Sequence, residues 1–112
     1  MVQIFGLEKC PATRKALRFF KERRVAVQFR DLAIKPPSPG ELDDMAGVLG
    51  GHGALLDTDG SAARERGLAY LEYDPREELL RDFRLYKTPL VRAGRGKAAL
   101  GVDEKAWKVF CG

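Results

Sequence analysis

The sequence predicts a single α/β domain over residues 1–112, built on a mixed four-stranded sheet. Three observations predict it. A strand, a helix and a strand follow one another at the start. Helical segments then fill the middle, about residues 38–85. Two short strands around a glycine-rich loop and a last helix close the chain. A βαβ unit of about 30 residues is nearly always parallel and right-handed. A hairpin is antiparallel. The order βαβ, helices, ββα therefore joins a parallel half and an antiparallel half in one sheet, with helices on its faces.

Val2-Gln3-Ile4-Phe5 is a short apolar strand, and Gly6 ends it. Pro11 suits the first turn of a helix, where its missing N–H costs nothing. Thr13, Ala16, Leu17, Phe19 and Phe20 then recur at helical spacing, opposite Arg14, Lys15, Arg18, Lys21 and Glu22. That helix should end near Arg23-Arg24, where basic side chains suit the negative pole. Val25 to Leu32 alternates with period two and reads as the second strand.

Lys35-Pro36-Pro37-Ser38-Pro39 is a loop. Ser38 and Glu41 form a capping-box pair with Pro39 at the first turn. The helix they open runs to about Leu49, and Gly50-Gly51 stops it. A short turn is expected around Ala54-Leu55-Leu56, then a short helix from Ser61 to Arg66. Asp74 caps a helix opening with Pro75 and ending near Leu85, with Leu79, Leu80 and Phe83 as its apolar face. Thr88 to Arg92 is a strand that starts on proline. Ala93 to Lys97 is the hairpin loop and Ala98-Ala99-Leu100 the returning strand. Asp103 starts the last helix, with Trp107 and Phe110 facing the core. Tyr70 and Tyr73 are also expected to pack in the core.

Hydrophobic residues make up 45% of the chain and charged ones 32%, which fits a folded protein rather than a disordered one. No apolar run approaches the ~18–20 residues of a membrane span, so no membrane partner is expected. The N-terminus lacks a charged-then-apolar signal pattern. Two cysteines, Cys10 and Cys111, do not make a disulfide scaffold. A reducing, cytoplasmic location is the expectation. The net charge is +4, but lysine and arginine are spread along the chain among acidic residues. Nucleic acid is therefore not the expected partner. His52 stands alone without a cysteine or histidine at ligand spacing, so no metal is expected.

Cys10 is the residue around which the chemistry gathers. It sits at a strand-to-helix junction, where unpaired N–H groups and the helix dipole favour negative charge. Both favour thiolate over thiol, and the thiolate is the nucleophile. Lys9, Arg14 and Lys15 add positive charge nearby. Thr13 could donate its hydroxyl to the sulfur or pack. Arg14, Arg64 and Arg92 could bind an anion or lie on a solvated surface. Cys111 could resolve a disulfide only with Cα atoms within about 7 Å of each other.

Cys10-Pro11-Ala12-Thr13-Arg14-Lys15-Ala16, the helices inserted from Ser38 to Leu85, Asp57-Thr58-Asp59-Gly60-Ser61 with Arg64, the Leu79–Pro89 run and Leu100-Gly101-Val102-Asp103-Glu104 occur in this order. Together they resemble the arsenate reductase/Spx-like (ArsC) family of the thioredoxin fold. The resemblance implies a cis peptide before Pro89, facing Cys10. It implies a thiol-dependent oxidoreductase with Cys10 as nucleophile. Arg14 and Thr13 would assist, and Arg64, Thr88, Pro89 and Arg92 would bind the substrate. No tightly bound cofactor is implied. Glutathione would be the co-substrate, a small thiol or an oxyanion the substrate, and a glutaredoxin-type protein the reductant. The alternative that the resemblance offers is a non-catalytic Spx-like regulator that binds RNA polymerase or another protein. Four positions depart from the family; one is Asp59, the wrong charge for a second oxyanion arginine, which leaves Arg64 as the candidate. Thr13 stands where redox-regulated members often carry a second cysteine. Thr88 stands where arsenate reductases carry an arginine. Gly6 stands where some carry a histidine.

Overall fold

A computed structural model describes all residues, Met1 to Gly112. Its four strands are β1 (Val2–Gly6), β2 (Val27–Asp31), β3 (Leu90–Arg92) and β4 (Ala98–Leu100). They form one sheet in the order β2-β1-β3-β4. β1 pairs parallel with β2 and antiparallel with β3, and β3 pairs antiparallel with β4. This is the mixed sheet expected from the order of elements. The strands are shorter than their apolar runs suggest. Val25 and Ala26 lie in the turn after the first helix, and Pro89, without an N–H, precedes β3.

Five helices flank the sheet: α1 (Pro11–Glu22), α2 (Pro39–Leu49), α3 (Ser61–Glu65), α4 (Pro75–Arg81) and α5 (Glu104–Phe110). The alternation of β1 divides the core in two. Val2 and Ile4 face Ala16, Phe19 and Phe20 of α1 and Trp107 of α5. Phe5 faces the other way, with Leu90, onto Leu42, Met45, Leu55 and Leu85 of the helical insertion. Phe19 and Trp107 meet edge to face with ring centroids 5.2 Å apart. Such a pair adds to the burial of two large rings.

The caps read from the sequence are present. Ser38 Oγ accepts from Glu41 N at 3.2 Å and Glu41 accepts from Ser38 N at 2.9 Å. Asp74 accepts from Arg76 N and Asp103 from Ala106 N. α2 ends at Gly50, whose φ of 100° needs a residue without Cβ. Arg23 ends α1 by donating to the Phe19 carbonyl at 3.1 Å while its guanidinium stacks 3.6 Å over the Phe19 ring.

Two expectations fail. The helix from Asp74 does not reach Leu85. It stops at Arg81, because the Asp82 carboxylate accepts from Arg84 N and starts a separate 3₁₀ turn, Phe83–Leu85. Of the apolar face expected for this helix, Leu79 is buried but Leu80 is turned toward solvent. Tyr70 is not a core residue. It lies on a three-residue 3₁₀ turn after the left-handed Gly67 and is 92% exposed. Tyr73 is half-buried against the core, and Trp107 is fully buried.

Arg30 ties the insertion to the sheet. It is buried on β2 and meets Glu41 through two bonds of 3.0 Å. It also donates to the Lys35 and Pro36 carbonyls. One guanidinium thus fixes the proline loop between β2 and α2. The Arg30 guanidinium contributes to a Glu41 carboxyl held down at about 2, although burial by itself pushes it up.

Candidate functional site

Cys10 caps the N-terminus of α1 with extended backbone (φ −79°, ψ 118°) and Pro11 behind it. The turn into it is tight: Cys10 N donates to Leu7 O, and Arg14 N closes the first helical turn on Cys10 O, both at 3.0 Å. The thiol is half-buried. Its sulfur lies 3.2 Å from the Thr88 hydroxyl. Thr88 precedes β3, and the Thr88–Pro89 peptide is cis. β3 runs antiparallel to β1, with Leu90 opposite Phe5. The start of β3 therefore lies beside the end of β1 and the loop that carries Cys10.

Burial alone would push the Cys10 thiol up. The Thr13 hydroxyl, the Thr88 hydroxyl and the backbone N–H groups of Thr13 and Ala12 together outweigh it and bring the thiol below its ordinary value. These donors at a helix N-terminus stabilise the anion that attacks.

Thr13 owes its place to two features. It is fully buried, and its Oγ1 accepts the Leu7 N–H at 3.4 Å, which leaves its proton free for the sulfur. Gly6 lies directly against it. A Cβ on Gly6 would approach the Thr13 methyl to 2.6 Å. Gly6 is required there by contact, not by its dihedral angles. Reading Gly6 only as a strand end missed this role. The signal was a glycine where the strand period asks for an apolar residue, one turn below a cysteine.

The other candidates are placed as follows. Arg14 is exposed on the first turn of α1, with no carboxylate within 4.0 Å. Pro89 is buried, and its carbonyl accepts from Gly101 N at 2.8 Å. Arg64 is exposed on α3 and lines a hollow of about 300 Å³ with Thr58, Gly67 and Tyr70, a hollow that does not include Cys10. Arg92 is not brought to the site. In register it lies opposite Gln3, toward the far end of the sheet from Cys10. There it pairs with Asp44 at 2.8 Å and donates to Gln3 at 3.2 Å.

Cys111 does not meet Cys10 either. It lies at the end of α5, packed against the cluster of Val2, Ile4, Ala16 and Trp107. Both cysteines are free. His52 is engaged by Asp43 at 2.8 Å, and no group of three or more His, Cys, Asp or Glu side chains is placed to hold a metal ion. No helix is long and apolar enough to cross a membrane.

No protein-family model matches the chain. No curated protein matches it. Solved structures do. The chain is similar to the YffB protein at 20% identity over all of both chains, with a TM-score of 0.84. It is similar to an arsenate reductase from Vibrio cholerae at 21% identity over 96% of each chain, with a TM-score of 0.81. A Staphylococcus aureus protein with an NMR solution structure is similar at 26% identity over 97% of each chain, with a TM-score of 0.75. The likeness is one of fold: the chain has the thioredoxin-like fold with the helical insertion of these structures.

Proposed function

We propose that the chain is a thiol-dependent oxidoreductase of the arsenate reductase-like group, with Cys10 as its single nucleophile. One observation carries this reading. A half-buried cysteine at the start of a helix faces the Thr88 hydroxyl at 3.2 Å and titrates below an ordinary thiol. The fold shared with the Vibrio cholerae arsenate reductase supports it.

In the proposed reaction the Cys10 thiolate attacks one sulfur of a substrate disulfide. The substrate S–S bond breaks as the Cys10–S bond forms, and the leaving thiolate takes a proton from water. The Thr13 and Thr88 hydroxyls and the Ala12 and Thr13 amides hold the sulfur's charge before attack and when it leaves again. With Thr13 where a second cysteine would stand, release comes from outside. Two glutathione thiols supply the two electrons and depart as their disulfide. Lys9 and Arg14, exposed and unpaired on either side of Cys10 in sequence, are the cations for a carboxylate of glutathione. Thr88 offers a neutral hydroxyl where an arginine would bind an oxyanion, so disulfides are the preferred substrate over arsenate.

The test is glutathione-dependent reduction of hydroxyethyl disulfide, with arsenate run in parallel. The expected result is turnover that Cys10→Ser abolishes, with disulfide favoured over arsenate. Wild-type turnover no greater than that of Cys10→Ser would overturn the proposal.

A further inference from the structure

Along the sequence the basic residues look evenly mixed with acidic ones. In space two groups of six stand out, while Lys9, Lys35, Arg64, Lys87, Arg95, Lys97, Lys105 and Lys108 are unpaired and spread over the rest of the chain. Arg30, Arg66, Arg76, Arg81, Arg84 and Arg92 each meet a carboxylate within 4.0 Å. All six belong to the insertion or to the sheet residues packed against it. The cations of α1 and its C-terminal turn form no ion pair at all. Arg14, Lys15, Arg18, Lys21, Arg23 and Arg24 are exposed, and only Glu22 accompanies them. Residues 11–24 thus carry six positive charges against one negative, a net of five. The whole chain carries +4, so the rest of the molecule sums to minus one.

The excess of positive charge is therefore carried by one helix and the turn that ends it, and that helix has Cys10 at its N-terminus. Its inner face is spoken for by Thr13, Ala16, Phe19 and Phe20. Arg14, Lys15, Arg18 and Lys21 recur on the opposite face at three- and four-residue steps, which makes one outward stripe. Beside it, Lys15, Arg18, Phe19, Arg23 and the two carboxylates Glu22 and Glu104 line a shallow hollow of about 220 Å³.

From this distribution we infer that the outer face of α1 docks an acidic protein whose disulfide is exchanged at Cys10. The inference rests on the thiol reading above. The occupant follows from charge complementarity and from placement. An acidic surface laid along the stripe brings its own sulfur to the end of the helix, where the thiolate sits. Complementary fields raise encounter rates by about 10–10³, with a steep loss in salt. The exchange step keeps its balance: the partner's S–S bond breaks, a Cys10–S bond forms, and the partner's released thiolate is protonated by water.

The test measures second-order rates of the full chain with three synthetic peptides. Each has one cysteine in mixed disulfide with 2-mercaptoethanol, flanked by glutamates, serines or lysines. Hydroxyethyl disulfide is the uncharged control. Near 20 mM salt the glutamate peptide should react about tenfold or more faster than the serine peptide, and the lysine peptide slower. Near 0.5 M salt the three should converge to within about twofold. The variant Arg18→Glu/Lys21→Glu should lose the glutamate preference and keep the control rate. Its changes lie about 12 and 16 Å along the helix from Cys10. Equal rates for the three peptides, or a preference that survives the charge reversal, would overturn the docking inference while leaving the thiol reading intact. No reaction of wild type with hydroxyethyl disulfide would instead remove the thiol reading beneath it. A 20-base-pair DNA duplex that binds at 0.15 M salt and is released by the double variant, with no rate gain for the glutamate peptide, would overturn it in favour of nucleic acid.

Discussion

Replacing Thr88 by valine removes one hydroxyl from the Cys10 sulfur and keeps the branched shape that packs before β3. The bond removed is 3.2 Å long and reaches a half-buried atom. A hydrogen bond to a charged group contributes about 1.5–3 kcal/mol. Solvent access to the sulfur puts this one just below that range, at about 1.4 kcal/mol, a factor of ten in the thiol–thiolate equilibrium. The thiol should rise. Below both inflections the thiolate fraction then falls about tenfold, while the more basic thiolate gains about threefold in intrinsic nucleophilicity. Alkylation at a fixed acidic pH should slow by only about threefold. The inflection of the rate–pH profile is therefore the informative readout. Iodoacetamide profiles of wild type, Thr88→Val and Thr88→Ser should show a clear upward move for valine and little for serine. A valine profile that coincides with wild type would refute the assignment of the Thr88 hydroxyl as a donor to the sulfur.

Gly6→Ala drives a methyl into Thr13, so it should lower stability by about 1–3 kcal/mol in a denaturant titration and also raise the Cys10 inflection. The Glu41 carboxyl sits at about 2 when folded, against 4.5 for the free side chain. Its contribution to stability is complete above about pH 4.5 and lost as pH falls toward 2. Glu41→Gln should flatten that acid limb in pH-dependent melting. Arg30→Ala, which leaves Glu41 partly buried without its partner, should cost about 3 kcal/mol by the same denaturant titration. Cys111→Ser should leave thiol reactivity at Cys10 unchanged, and wild type treated with an oxidant should give no intramolecular disulfide on a peptide map.

The legible parts of the fold are those with local causes. Ser38 with Glu41, Asp74 and Asp103 announce their helices because a cap is a contact within three residues. The period of two in β2 and the Pro11 start of α1 are equally local. Asp82 misled, because its side chain serves as a cap inside what reads as one helix. Tyr70 misled because a three-residue turn has no period to betray its exposed face. Arg92 could not be placed from sequence. Two residues along β3 separate Leu90, near the site, from Arg92, near Asp44, and only the register with β1 decides which residue lies where. The same limit hid the Gly6–Thr13 contact, which joins a strand to a helix. The charge of α1 was visible as residues but not as an unpaired surface, since pairing depends on contacts up to 48 residues apart.

Intact-mass analysis after brief exposure to oxidised glutathione at neutral pH tests the central claim most directly. One glutathione adduct per chain is expected, located on Cys10 by peptide mapping, retained in Cys111→Ser and absent in Cys10→Ser. Adduct formed on Cys111, or none on Cys10 under conditions that modify an ordinary exposed thiol, would contradict it.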